Sequence, residues 1–152
     1  GGTRTPFITY WENIIQPGVS EEMVSTIDLP ASMAALTGID LPNDGVLDSF
    51  NVLDALLGKR GAKGRQYIVS QDNGRKGNYG LRDGNWKLQR HDAKRMYNGD
   101  LSMDSWTVPQ YTLFNLDKDI AEANDVSKDY PQITERLKDQ LQSIIDRGKT
   151  RF

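Results

Sequence analysis

The sequence predicts an α+β fold in which an antiparallel sheet of about four strands is packed by a long C-terminal helix. Residues 79–89 read as two short strands around Asp83-Gly84, a dipeptide typical of tight hairpin turns because glycine adopts positive φ freely. An isolated hairpin is marginal in water, so it needs further strands and an apolar cover. Residues 66–70 and 111–116, rich in β-branched and aromatic side chains, are predicted to supply strands.

The cover is predicted near the end of the chain, where Pro131 opens a helix and Gly148 closes it. Its apolar residues recur at helical spacing and form one stripe: Ile133, Leu137, Leu141, Ile144 and Ile145. A helix with one apolar face can bury the apolar face of the sheet, which gives the predicted two-layer arrangement.

The composition indicates a folded chain. The 152 residues are 37% hydrophobic and 26% charged, and their number is about that of one domain. A net charge of −2 gives no general attraction to nucleic acid, and no apolar run is long enough to span a bilayer. The sequence has no cysteine, which excludes disulfides and a cysteine nucleophile within it. We therefore expect neither nucleic acid nor a membrane as a partner.

The first sixty residues are predicted to hold a strand and two helices. Residues 7–11 predict a strand buried on both faces, as in a parallel sheet. A helix is expected from an N-cap at Thr26 to a C-cap at Gly38, and a shorter helix at residues 49–57 ends at Gly58. Because the chain enters the strand-like segment almost at once, without an initiator Met, we expect a fragment whose natural N-terminal part is missing.

A basic, glycine-rich segment at residues 59–65 separates the two halves. Its spacing lacks the phosphate-binding loop pattern, so an exposed linker is favoured over a phosphate cradle. We place a domain boundary here, with residues 1–60 in one domain and residues 61–152 in the other. Residues 90–109 have no steady period, which predicts a long excursion of the kind that is often functional.

The motifs of the sequence do not form a complete set of catalytic residues. His91 is the only histidine, and it opens the long excursion either as an exposed loop residue, which is favoured, or as a substrate contact. Asp72-Asn73-Gly74 offers oxygen ligands suited to calcium or magnesium, but it lacks the repeated carboxylates of a calcium loop, so a plain turn is favoured. A metal site with several histidines within the chain is excluded by count.

Several stretches taken together resemble the sulfatases of the alkaline-phosphatase superfamily. Residues 1–8 are similar to that family's Gly-Gly-x-Arg-x-Pro segment, and residues 24–38 to its Val-Ser/Thr-x-Asp-Leu helix. Residues 44–58 are similar to its Asp-Gly to Leu-Leu-Gly stretch, and residues 81–88 to its Arg-x-Gly-x-Trp-Lys-Leu hairpin. Residues 113–131 are similar to its closing Leu-Tyr-Asn-Leu pattern. The order and spacing of these stretches over nearly the whole chain make the resemblance specific.

The sequence also departs from the family. The Cys/Ser-x-Pro-x-Arg motif, whose first residue becomes formylglycine in sulfatases, does not occur. The family's calcium-binding acidic residues precede the Gly-Gly segment, so Asp72 and Asn73, which follow it, are not assigned as calcium ligands. The resemblance therefore implies the C-terminal portion of a sulfatase. Residues 1–60 would be the end of the α/β catalytic domain and residues 61–152 the C-terminal α+β subdomain, with calcium and formylglycine in the full-length enzyme only.

For the full protein the resemblance implies hydrolysis of sulfate esters of carbohydrates or aryl groups, with cationic groups stabilising the sulfate oxygens. This chain alone is expected to be inactive and to contribute basic or polar groups to the mouth of the site. The expected partners are the upstream catalytic part of the same protein and a sulfated small molecule or carbohydrate, in a periplasmic or secreted location. The substrate-binding candidates, for each of which a surface or scaffold role is the plainer alternative, are Arg4, Arg75, Lys76, Arg90 and His91.

Two alternatives stay open. A non-catalytic module for carbohydrate binding or protein interaction would use Trp86, Tyr97 and Trp106 as stacking surfaces. A phosphodiesterase or phosphonate hydrolase of the same superfamily would share the fold and differ in the ester that it cleaves.

Overall fold

The structure, a computed structural model, describes residues 5–42, 44–72, 77–92, 95–98, 103–107 and 109–151, with only the backbone of 95–98 and 103–107. The chain forms two compact units. The first comprises Gly1–Gln66 together with Arg147–Phe152, and the second comprises Tyr67–Asp146.

The second unit contains an antiparallel sheet of four strands and a long helix. In spatial order the strands are β1 (Tyr67–Gln71), β2 (Tyr79–Asp83), β3 (Trp86–Arg90) and β6 (Tyr111–Asn115). The helix α3 spans Pro131–Arg147, and Gly148 beyond it has a φ of 64°. The predicted α+β architecture, with four antiparallel strands and a C-terminal helix, is confirmed.

A row of aliphatic side chains crosses the sheet and holds α3 against it. The register places Val69 opposite Leu81, Leu81 opposite Leu88, and Leu88 opposite Leu113. The three leucines are fully buried and form one core cluster with three residues of the predicted helix stripe, Leu137, Leu141 and Ile144. Burying one such side chain contributes about 1.5–3 kcal/mol, so this cluster is the main source of stability in the unit.

The central hairpin is present, but its turn lies one residue later than predicted. Asp83 pairs with Trp86, which leaves Gly84-Asn85 as the two-residue loop. Gly84 has a φ of 55°, and glycine with positive φ at the first central position is typical of a type II′ turn. Asp83 stays in the strand, where its carboxylate accepts a hydrogen bond from the Arg136 guanidinium at 2.8 Å.

The expected irregular excursion at residues 90–109 is wrong in part. Its described residues contain β4 (Arg95–Asn98) and β5 (Met103–Thr107), which pair antiparallel as a separate two-stranded sheet. The register shifts between Arg95 and Tyr97. A bulge of this kind breaks the alternation of side chains, which explains why the sequence showed no steady strand period.

The first unit is built around a short helix that follows a 3₁₀ turn. The turn spans Thr26–Asp28 and α1 spans Leu29–Thr37, with Gly38 at the predicted C-cap and a φ of 70°. The N-cap is Ser25 and not Thr26, and the Ser25 N–H donates to the Asp28 carboxylate at 3.1 Å.

The helix predicted at residues 49–57 is shorter in the structure, where α2 spans Leu53–Leu56. The preceding backbone is held by side chains of the 3₁₀ turn and α1. The Phe50 N–H donates to Asp28 at 2.9 Å, and the Val52 N–H donates to the Ser32 hydroxyl at 3.1 Å. These bonds take the donors away from helix formation in this segment.

The strand predicted at residues 7–11 is not formed, and its predicted burial is wrong. The structure gives these residues no regular secondary structure, and Ile8 and Tyr10 are 88% and 83% exposed. A strand needs a neighbour to satisfy its backbone groups, and the described residues pair no strand with this segment.

The segment at residues 59–65 was predicted to be an exposed linker, and this prediction is wrong at its end, because Arg65 is only 7% exposed. The Arg65 N–H donates to the Met23 carbonyl at 2.7 Å, and its guanidinium donates to Asp28 at 3.0 Å and lies 4.5 Å from the centre of the Phe50 ring. Gly64 fits only without a side chain, since a Cβ would lie 2.2 Å from the Met23 carbonyl oxygen. The end of the predicted linker is therefore an anchored part of the first unit.

Candidate functional site

Two of the five predicted site residues can be placed. Arg90 ends β3 and His91 follows it, whereas Arg4, Arg75 and Lys76 lie outside the described residues. Arg90 belongs to the alternating set that includes Leu88 and therefore faces α3, with Tyr79 and Tyr111 as its cross-strand neighbours. Its buried Nε has no hydrogen-bond partner among the described residues. Arg90 thus lies at the end of an inner strand, on the face of the sheet that packs against α3.

His91 continues the pairing of β3 with β6 by one residue. Its backbone N–H donates to the Gln110 carbonyl at 2.8 Å. Burial lowers the pKa of the imidazole below its ordinary value, because the charged form loses water, and the negative charge of Asp72 opposes this shift. The ring is therefore neutral at pH 7 and carries one hydrogen-bond donor and one acceptor.

A polar cluster surrounds this end of the sheet, where β1 ends, β2 begins, β3 ends and β6 begins. The Asn78 amide donates to the Asp72 carboxylate at 2.7 Å, and its oxygen accepts from the Asp92 N–H at 2.6 Å. Gly77 has a φ of 100° and lies so close to the Asp92 side chain that a Cβ at this position would be 2.9 Å from the Asp92 carboxyl carbon. These contacts link the β1–β2 loop to the residues around His91.

Sequence reasoning singled out His91 but missed Gly77, Asn78 and Asp92. For Asp72 the sequence favours a plain turn over a metal-binding loop. Strand pairing brings Asp72, Gly77, Asn78 and Asp92 close together, and no short sequence motif predicts the register of that pairing. An alignment of the three strands in antiparallel order would have been the signal that brings Asp72, Asn78 and His91 together.

The sheet face away from α3 carries a second polar group. Lys87 donates to both carboxylate oxygens of Glu122 at 2.7 Å, and the Gln89 amide donates to one of them at 2.6 Å. Glu122 has a φ of 57°, which is uncommon for a residue other than glycine and is stabilised here by its tertiary contacts. The buried hydroxyl of Thr112, which pairs with Gln89 in the register, has no hydrogen-bond partner among the described residues.

The residues suggested as carbohydrate-stacking surfaces are placed only in part. Trp86 packs against Tyr130, with ring centres 4.8 Å apart, and belongs to the residues packed on the core. Tyr97 and Trp106 lie in β4 and β5, for which only the backbone is described. Trp86 therefore serves the fold before it can serve a ligand.

The first unit has an open concavity of about 390 Å³ beside α1. Its walls include Ala31, Ala34 and Phe50, so much of the lining is apolar. The Arg151 guanidinium, which also lines it, donates to the Gly45 carbonyl at 2.9 Å. The arrangement gives this concavity no evident chemical role.

The described residues do not fit the calcium and formylglycine that the family resemblance implies. Within these ranges no group of three or more His, Asp or Glu side chains could hold a metal ion. The sequence has no cysteine and no motif for serine conversion. The described residues can thus offer hydrogen-bonding groups to a ligand, and they contain no cluster that would bind a metal ion. A separate finding is that no helix in the described part is long and apolar enough to cross a membrane.

Comparison with known proteins identifies sulfatases. The chain is 34% identical over 148 residues to an N-acetylgalactosamine-6-O-sulfatase of Bacteroides thetaiotaomicron, which covers 96% of this chain and 28% of the relative. It is 29% identical over 159 residues to arylsulfatase G of Rattus norvegicus, covering 96% of this chain and 30% of the relative. No family model matches. The chain thus spans less than a third of the length of these relatives.

Solved structures give the same result. A structure described under glycosaminoglycan metabolism by Bacteroides thetaiotaomicron matches 88% of this chain and 27% of its own chain, with a TM-score of 0.77 and 31% identity. A sulfatase from Pseudoalteromonas matches 93% of this chain and 30% of its own, with a TM-score of 0.64, and at 19% identity it supports the fold alone. Sulfatases thus cover most of this chain in sequence and in structure, and the predicted resemblance to their C-terminal portion is confirmed.

Proposed function

We propose that this chain, which is similar to sulfatases over almost its entire length, is the C-terminal portion of an enzyme that hydrolyses sulfate esters. The observation that carries the proposal is the 34% identity to the N-acetylgalactosamine-6-O-sulfatase over 96% of the chain. The chain covers only 28% of that relative, so the reactive centre is proposed to lie in another part of a longer protein. The 152 residues alone are proposed to be inactive.

The proposed substrate is a sulfated carbohydrate. The name of the relative specifies a 6-O-sulfate on N-acetylgalactosamine, and a sulfated amino sugar is accordingly the first compound to test. The polar cluster at the end of the sheet supports this choice, because sugar recognition relies on directed hydrogen bonds to hydroxyl groups, which the neutral ring of His91 can provide. Within the proposal, Arg4, Arg75, Lys76, Arg90 and His91 remain the candidates for contact with the substrate.

Formylglycine and calcium are proposed for the longer protein only. The described residues supply neither a metal-binding cluster nor a precursor motif, so no chemical step is assigned to them. The proposed role of this chain is to bind and orient the sugar at the mouth of a site whose reactive groups come from elsewhere.

The proposed partner within the protein is the upstream catalytic part. Residues 1–60 are proposed to belong to its α/β domain and residues 61–152 to form the C-terminal subdomain. The first unit exposes several large apolar side chains, and exposed apolar surface can mark a site of contact with a partner. These side chains are Phe7, Ile8, Tyr10, Trp11 and Ile14 at the start, and Met33 and Leu36 on α1. A catalytic domain that covers these side chains would remove the exposure. A periplasmic or secreted location is proposed on the family resemblance, and cell fractionation tests it.

The experiment is an assay of the full-length protein on a 6-O-sulfated N-acetylgalactosamine sugar and on its 6-phosphate. We expect release of sulfate that a chelator abolishes and added calcium restores, with slower release of phosphate. Failure to release sulfate from any sulfated sugar or aryl sulfate, with calcium present, would overturn the proposal. Faster hydrolysis of an aryl phosphate diester or of an aryl phosphonate ester than of the sulfate ester would instead favour a phosphodiesterase or phosphonate hydrolase.

A further inference from the structure

Four residues extend the sheet by one row beyond its assigned pairs. Strand by strand, the last paired residues at this end are Gln71, Tyr79, Arg90 and Tyr111. The next residues outward, which we call the polar row, are Asp72, Asn78, His91 and Gln110. Two backbone bonds continue the ladder here. The Asp72 N–H donates to the Asn78 carbonyl at 3.4 Å, and the His91 N–H donates to the Gln110 carbonyl at 2.8 Å.

The polar row lies on the sheet face away from α3. Side chains alternate between the two faces along a strand, and the core residues Leu81, Leu88 and Leu113 face the helix. Asn78, His91 and Gln110 each lie three positions from the leucine of their own strand, and Asp72 lies three positions from Val69, the partner of Leu81. This odd spacing assigns the row to the opposite face. The row therefore extends the polar face that carries Gln89 and Thr112.

Asn78 joins the row to the chain that carries His91. Its amide donates to the Asp72 carboxylate at 2.7 Å, and its oxygen accepts the Asp92 N–H at 2.6 Å. Because Asp92 is the residue after His91, this second bond fixes the backbone at the point where His91 leaves the strand. An asparagine is suited to the position because its amide nitrogen donates to one of these partners while its amide oxygen accepts from the other.

The charges around His91 decide which ligand group it can bind. The negative charge of Asp72 acts on His91 from two strands away across the sheet, and Arg90 and Asp92 flank His91 in its own chain. Burial lowers the pKa of the imidazole, so at pH 7 the neutral ring donates one hydrogen bond and accepts another. A hydroxyl group has the same pair of functions, whereas a sulfate group has only acceptors and favours cations.

We propose that His91 binds a hydroxyl group of the sugar and that Asn78 and Asp72 are positioning residues that hold His91 for this contact. This inference rests on the proposed function, since it assigns part of the substrate to the polar row. The hydroxyl belongs to the sugar ring and is distinct from the sulfate group that is hydrolysed.

The first test compares two substrates of the full-length protein, a sulfated sugar and a small aryl sulfate without hydroxyl groups. Asn78→Ala is expected to raise KM for the sulfated sugar about tenfold, the effect of losing roughly one positioned hydrogen bond, and to leave kcat/KM for the aryl sulfate unchanged. His91→Ala is expected to act in the same way. Asn85→Ala is a matched control, because Asn85 also donates to a carboxylate but lies at the opposite end of the hairpin.

The second test measures the His91 imidazole directly by NMR titration of selectively labelled histidine in the full-length protein, with the signal assigned by His91→Gln. Asp72→Asn keeps the size of the side chain but removes the negative charge that raises the His91 pKa. We therefore expect the pKa of His91 to fall in this variant and to stay unchanged in Asn85→Ala. This readout does not depend on turnover, and it reports whether the charge of Asp72 acts on His91. The KM of Asp72→Asn for the sulfated sugar then shows whether that action serves binding.

The outcomes separate the two proposals. Absence of sulfate release by the wild-type protein overturns the proposed function. An active wild type with an unchanged KM for the sugar in Asn78→Ala, or with equal losses on both substrates, overturns the inference about the polar row. An unchanged His91 pKa in Asp72→Asn overturns the role of Asp72 whatever the kinetics.

Discussion

A fully buried carboxylate organises the first unit at the level of single residues. Asp28 is 0% exposed, and it accepts hydrogen bonds from the Ser25 N–H, the Phe50 N–H and the Arg65 guanidinium. Because burial of a charge is costly unless the charge is paired and hydrogen-bonded, these three donors are what makes the position tolerable. Asp28 therefore ties the 3₁₀ turn, the segment before α2 and the end of the predicted linker together.

Loss of this carboxylate should destabilise the protein strongly. Asp28→Ala removes the carboxylate that pairs with the buried Arg65 guanidinium and accepts two backbone N–H groups, and we expect the free energy of unfolding to fall by about 3–5 kcal/mol. Denaturant-induced unfolding measures the change. Asp54→Ala is the control, because that side chain is 62% exposed in its ion pair with Lys59, and it should cost at most about 1 kcal/mol. Similar losses for the two variants would contradict this account.

Single residues also show where sequence reasoning stops. His91 was singled out because it is the only histidine, whereas Asn78 became interesting only when strand pairing placed it between Asp72 and Asp92. Arg65 was expected in an exposed linker because its neighbours are Gly and Lys, yet it is buried against Asp28. Contacts between residues far apart in the chain decide these roles, and local composition does not contain them.

The sheet and its helix are the elements that sequence patterns predicted best. The hydrophobic periods of β2, β3 and α3 are strong because one face of each is buried in a common core. The turn moved by one residue and the paired strands β4 and β5 were missed, since register and bulges are set by tertiary contacts.

A substitution in the central row tests this element directly. Leu88 lies between Leu81 and Leu113 of the two neighbouring strands, and its solvent exposure is 0%. Leu88→Ala should reduce the free energy of unfolding by about 2–5 kcal/mol, the sum of lost burial and a residual cavity. Ile120→Ala serves as the control, because Ile120 is 55% exposed, and it should change the unfolding midpoint little. A loss below about 1 kcal/mol at Leu88 would contradict the assigned core.

The whole molecule presents an imbalance between its two units. The second unit buries its apolar side chains in one cluster, whereas the first exposes a run of large apolar residues before its 3₁₀ turn. The sequence of residues 7–11 predicted a buried strand, and the structure leaves it unpaired. Both observations are explained if the proposed catalytic part supplies a strand that pairs with residues 7–11 and covers their side chains.

Stability in two contexts tests that account. Ile8 is 88% exposed in this chain, so Ile8→Asp should leave the unfolding of residues 1–152 nearly unchanged. In the full-length protein the same change would place a charge in a buried strand, and we expect a loss of several kcal/mol because an unpaired charge is poorly tolerated there. Thermal unfolding of the two wild-type and two variant proteins measures the difference. Equal behaviour in both contexts would show that Ile8 stays exposed.

The most direct measurement for the central claim is sulfate release by the full-length protein and by residues 1–152 alone, on the same sulfated sugar at equal concentration. The claim is that this chain shapes and supports a sulfatase site whose reactive groups lie elsewhere in the protein. It predicts turnover by the full-length protein and none by the 152 residues. Sulfate release by the 152 residues alone would contradict it, because the reactive centre would then have to lie within this chain.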